Sequence, residues 1–98
     1  MFLGVKGITI SSQIKQVDAQ GTHVMFSVDM YKRNFLIVTE RVSGRYTMGL
    51  VWNKSTSQYG TVINISSDGL VFSGSSSTGI WVENISPNTT LDCMLVVY

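Results

Sequence analysis

A chain of 98 residues, 44% apolar and 13% charged with a net charge of +1, makes one domain that buries about two-thirds of the surface its unfolded form exposes. It has no basic run to track a phosphate backbone and no apolar run as long as a membrane span, so neither nucleic acid nor membrane insertion is expected. One cysteine and one histidine cannot build an internal disulfide or a zinc site within one chain, and no cofactor or metal is expected. Charged residues fall well below the roughly 25% of soluble domains. Ser, Thr, Asn, Gln and Gly supply the polarity instead, as on a strand-rich domain whose outward positions are polar without being charged.

The first twenty residues are the least patterned. Met1-Phe2-Leu3-Gly4-Val5-Lys6 has a short apolar patch but no basic leader and no small-residue cleavage site, so it does not read as a secretory signal. Ser11-Ser12 could cap a short helix over Gln13 to Val17, yet Ile14 and Val17 are its only apolar pair, and extended structure fits better. Asp18-Ala19-Gln20-Gly21 punctuates the chain. Residues 1–20 are therefore expected as an extended lead, and residues 21–98 as the compact domain.

Thr22 to Met30 alternates as a strand, with Val24, Phe26, Val28 and Met30 on one face and His23, Met25, Ser27 and Asp29 on the other. Tyr31 to Asn34 makes a turn. Phe35 to Val38 is apolar on both faces, as in the middle of a covered sheet. Ser43-Gly44 supplies the turn into Tyr46, Met48, Leu50 and Trp52, which share one face of a half-buried strand. That spacing takes Trp52 into the core after Leu50. Asn53 to Gly60 is a polar loop with an aromatic at each end. Thr61 to Ser66 resumes a strand, Ser67-Asp68-Gly69 signals a hairpin, and Leu70 to Phe72 is its return.

Ser73 to Gly79 reads as a loop, Ile80 to Ile85 as a strand, and Pro87 as its stop inside a turn. Leu91 to Tyr98 stays apolar to the last residue, which calls for a central strand or one covered by a neighbouring subunit. Strands at near-regular spacing with turns between them give an all-β, antiparallel β-sandwich of jelly-roll-like form. Four Asn-X-Ser/Thr triplets begin at Asn53, Asn64, Asn84 and Asn88, and the abundance of those residue types accounts for them.

Catalysis finds little to work with. Of the carboxylates, Asp18 and Asp68 belong to loops and turns; Glu40 and Glu83 stand at strand ends, where a facing pair could in principle do acid–base work. Cys93 lies in an apolar run and reads as a small buried hydrophobe, and His23 as an exposed strand histidine. The aromatics are more suggestive. Tyr59 borders the loop Asn53 to Gln58, and Trp81 is opposite in phase to Ile80 and Val82, so it faces solvent, a groove or another subunit. Sugars stack their apolar faces on Trp or Tyr while Asn and Gln bond the hydroxyls, so Asn53, Gln58, Tyr59 and Trp81 are the candidate ligand-binding residues. No catalytic residue is assigned.

Phe35-Leu36-Ile37-Val38-Thr39, the Gly turn, Tyr46 to Trp52, the Ser/Thr loop, Thr61 to Ser66, Asp68-Gly69 and the final apolar strand together resemble the C-terminal receptor-binding β-domains of bacteriophage tail fibres. The resemblance spans Gly21 to Tyr98 in texture, without a diagnostic motif, so it transfers no binding residue; the long repeats of a fibre shaft are absent ahead of it. It implies a non-enzymatic module, made in the host cytoplasm and carried on the virion, that attaches to a host cell-surface saccharide or protein and self-associates as a homotrimer. The alternative is a structural virion part, a capsid decoration protein or a trimerising cap, with Trp81 and the last strand buried between subunits.

Overall fold

The computed structural model describes residues 7–18, 23–29, 31–52, 61–75 and 78–98. They form β1 (Thr9–Val17), β2 (His23–Ser27), β3 (Asn34–Glu40), β4 (Tyr46–Trp52), β5 (Thr61–Asp68), β6 (Val71–Ser75), β7 (Gly79–Glu83) and β8 (Thr89–Val97). Two antiparallel sheets result, one in the order β1-β8-β3-β4-β5 and one in the order β2-β7-β6. First pairs with last and second with seventh, the nested pairing of a jelly-roll-like sandwich.

The core lies between the sheets. Leu36 and Val38 of β3 and Leu91, Cys93 and Leu95 of β8 meet Phe26, Ile80 and Val82 from the smaller sheet, all of them buried. Each fully buried side chain of this kind stabilises by about 1.5–3 kcal/mol. β8 runs between β1 and β3, so the apolar end of the chain is indeed a central strand. Its last residue is held as well: Tyr98 N donates to Arg33 O at 3.0 Å, and the Arg33 guanidinium stands 5.2 Å from the Tyr98 ring centroid.

Four expectations are corrected. The segment 1–20, set outside the compact domain, supplies β1, which pairs with β8 along all its nine residues. On β4 the small set faces inward: Thr47, Gly49 and Val51 are buried, whereas Tyr46, Met48 and Leu50 are half-buried on the outer side. The physical reason is the approach of Phe72 from the smaller sheet. A Cβ at Gly49 would stand 3.1 Å from its ring and 2.7 Å from Ile63 O, so only glycine fits there. The Asp68-Gly69 turn is a corner rather than a hairpin, because β5 and β6 belong to different sheets; Gly69 takes φ 87° and the next residue, Leu70, is buried. The Ser/Gly stretch expected as a loop begins as β6, which runs to Ser75.

The outer side of the larger sheet also carries apolar residues. Cross-strand register lines up Ile10, Val96, Phe35, Leu50 and Ile63 in one row across all five strands. The next row carries Met94, Ile37 and Met48 between Ser12 and Ser66.

One polar cluster ties the sheets together at the end of β3. The Glu40 side chain is fully buried; its carboxylate accepts from Ser43 Oγ at 2.6 Å and from Ser86 N at 2.7 Å, and Oε1 lies 3.3 Å from Arg45 Nε. Arg45 donates onward to the carbonyls of Gly69 and Asn84, and Asn84 Nδ2 to Gly69 O at 2.6 Å, so corner, hairpin and the β7–β8 connection share one network. Burial alone would raise the Glu40 pKa, but the hydrogen bonds from Ser43 and Ser86 and the Arg45 charge outweigh it and hold the carboxyl below its ordinary value.

Two outcomes follow. A depressed folded-state pKa means that Glu40 stabilises the fold above the carboxyl's unfolded value and ceases to do so as pH falls through the folded one. Glu40→Gln should therefore cost about 3 kcal/mol in urea unfolding at neutral pH, and the gap from wild type should close as the medium is acidified below the carboxylate range. A gap independent of pH would refute the ionised assignment. Burial also pushes the Cys93 thiol up to about 12. At mildly alkaline pH the folded chain should resist iodoacetamide and react only when unfolded, the thiolate fraction rising by about 1,000-fold.

Candidate functional site

Of the candidate binding residues, Asn53, Gln58 and Tyr59 lie outside the described residues. Trp81 stands on the outer face of the three-stranded sheet, half-buried, between the wholly buried Ile80 and Val82. Alternation along β7 puts it there: the strand's apolar needs are met by its two neighbours, which leaves the indole outside the core.

The register builds its surroundings. Met25 is opposite Trp81 on β2, and Gly74 is opposite on β6. His23 lies diagonally across, its ring centroid 5.0 Å from that of Trp81 at 55°. Tilted rings at this distance attract through their quadrupoles. Glu83, exposed, faces His23 on one side and Val71 on the other. On the β6 side a side chain at position 74 would meet nothing within 4 Å, so the glycine leaves open space there. The register slips between Phe72 and Gly74, and this bulge is what brings a glycine opposite the tryptophan.

The result is an aromatic platform walled by His23 and Met25, open towards β6, with a carboxylate at one margin. Its chemistry is that of a surface for an apolar face with polar edges: a ring to stack on, and an imidazole and a carboxylate to bond hydroxyls. Residue types alone pointed to Trp81. His23, Met25 and Gly74 join it through strand pairing, which a single sequence does not display.

The acid pair does not form. Glu40 points into the sandwich and is engaged by Ser43, Ser86 and Arg45, whereas Glu83 is on the outer face of the other sheet. Asp92 is held by Arg41 through two hydrogen bonds of 2.7 and 3.0 Å, and the Arg41 partner holds its carboxyl below the ordinary range. Cys93 is buried with its thiol protonated. Among the described residues no group of three or more His, Cys, Asp and Glu side chains converges as a metal site would require. A second, polar cleft of about 570 Å³ between the end of β1 and the start of β8, lined by Gln16, Asp18, Asn88 and Thr90, carries no aromatic.

No family model matches this chain, and no curated protein does. Among solved structures it is similar to a tailspike protein from Acinetobacter baumannii bacteriophage Fri1, a capsular polysaccharide depolymerase, with a TM-score of 0.57 at 14% identity. The match covers 93% of this chain, which spans 17% of the length of that tailspike. At this identity what the two share is the fold: an antiparallel β-sandwich also found within a phage tail protein.

Proposed function

We propose that this chain is a self-associating bacteriophage tail module on the virion that binds a host-surface glycan on the outer face of its three-stranded sheet, without cleaving it. The observation that carries this reading is Trp81: an indole kept out of the core, flanked by His23 and backed by open space at Gly74. The likeness to a tailspike whose partner is a capsular polysaccharide supports the ligand class. A pyranose ring would lie on the indole, and His23 and Glu83 would bond its hydroxyls. Neutral sugar hydroxyls fit a face bearing one imidazole and one carboxylate better than they fit a charged cluster.

A second reading has one observation in its favour, since the similar tailspike is a depolymerase. In this chain the nearest candidates for such work are His23 and Glu83, opposite each other on β2 and β7. A glycosidase needs two carboxyl groups across the scissile bond, and Glu83 has no such partner among the carboxylates described above. Binding without turnover is therefore the better fit.

The test is a panel of bacterial capsular polysaccharides read by biolayer interferometry. Trp81→Ala should weaken binding about tenfold, from an aromatic contact of about 1.5 kcal/mol, while circular dichroism and oligomeric mass stay as in wild type. Reducing ends should not accumulate on prolonged incubation. Full affinity in Trp81→Ala would dismiss this face as the site, and reducing ends abolished by Glu83→Gln would establish the hydrolase instead.

A further inference from the structure

The larger sheet has apolar residues on both faces, and among the described residues only one face is covered. The smaller sheet seals the inner side, and the row from Ile10 through Val96, Phe35 and Leu50 to Ile63 is left on the outer side. Ile10 is 67% exposed, and Met94 and Ile63 are 41% exposed. Between β1 and the centre of the sheet a groove of about 590 Å³ runs along this face, lined by Ile10, Ile37 and Met94 with Ser12 and Thr39. Single exposed aliphatic residues are ordinary on a monomer, but a contiguous sheet face of them is not.

We infer that this outer face of the five-stranded sheet is the surface on which a second copy of the chain seats. Three features favour a copy over another occupant. The first is size. Five strands about 4.8 Å apart and seven residues long at about 3.4 Å each give a face of about 570 Å² in projection. Two such faces bury about 1,100 Å², close to the roughly 1,200 Å² at which specific assemblies begin. The second is charge. Among the described residues on the face the charged side chains are Asp92, which Arg41 already neutralises, and Asp68 at the end of β5, in phase with Ser66 and away from the apolar row. The apolar row and its groove carry no unneutralised charge, so the centre of the face does not repel its own image and holds nothing that would select a charged partner. The third is relief. The groove lies beside the exposed Ile10 and Met94, so side chains of one copy can enter the groove of the other across a two-fold axis, the self-complementarity that an isologous contact requires.

The inference names the surface for the self-association proposed above and rests on that reading for the identity of the partner. Glycan binding is measured separately, so either can fail alone. The experiment is sedimentation velocity on the wild-type chain and on Met94→Glu and Ile63→Glu, with Val42→Glu as control, since Val42 is 91% exposed in the β3–β4 turn and off the face. Wild type and Val42→Glu should associate at micromolar concentration, and each face variant should weaken association by about 100-fold or more, because a carboxylate then meets its own image in an apolar contact. Circular dichroism identifies any variant that fails to fold. A readout on the unmodified chain stands beside it: with a soluble paramagnetic co-solute, the methyl signals of Met48 and Met94 should become shielded as the protein is concentrated. A monomeric wild type, face variants that associate as wild type does, or methyls equally accessible at every concentration would each overturn the inference. The first of these would transfer the face to a different partner.

Discussion

A three-stranded sheet lies against a five-stranded one, and that mismatch constrains everything else in the molecule. β8 and β3, at the heart of the larger sheet, are apolar towards both sides, and the smaller sheet reaches one side only. Inward, Leu36, Val38, Leu91 and Leu95 are sealed. Outward, Phe35, Ile37, Met94 and Val96 occupy the same two strands, and no layer of the described residues lies above them. In a domain this small, every side chain of that kind left in water forgoes stabilisation the fold can ill spare.

How the chain passes between the layers decides which residues end up where. The crossing from β5 to β6 goes through Gly69, where a Cβ would stand 2.6 Å from Arg45 Nε. Arg45 thus stacks over the corner while pairing with Glu40, and the corner carbonyl receives both Arg45 and Asn84. A buried carboxylate so placed is costly to desolvate and is retained through the geometry it imposes, since removing one partner leaves the rest unpaired. Once the corner is set, Phe72 is delivered onto Gly49, and this contact turns the small residues of β4 inward and its large ones out. The apolar outer face is thus a consequence of the same crossing that closes the core.

Much of this was legible in the residues. The two-residue rhythm named most of the strands, the doubly apolar texture of Phe35 to Val38 and Leu91 to Val97 marked the central ones, and the phase of Trp81 put it outside the core. What escaped has a common physical cause. Alternation tells which residues share a face but not which face is covered, so the bulkier set on β4 reads as the core set, whereas Phe72 takes the space over Gly49 and turns it outward. A turn signal such as Asp68-Gly69 tells that the chain reverses, not whether the next strand pairs with the last one or joins the opposite layer. β1 hid because an edge strand with Ser, Gln and Lys along it needs little apolar content when its partner, β8, supplies the hydrogen-bonding ladder. The surroundings of Trp81 depend on register across three strands and on a bulge, neither of which is written in any one segment.

The two outer faces differ in chemistry, and their placement bears on how they could work together. The indole platform belongs to β2-β7-β6 and the apolar row to β1-β8-β3-β4-β5, on opposite sides of the sandwich. Copies joined through the larger sheet would leave every Trp81 pointing away from the contact, so association would not compete with ligand. A single aromatic stacking contact with a few hydroxyl bonds is weak recognition. Two platforms facing opposite ways gain by effective concentration only where a polymer that repeats its sugar unit is long enough to reach both. On the proposal that copies join through the larger sheet, the apolar face fixes the platforms back to back, and the reach of the polymer between them decides whether the second contact adds to the first.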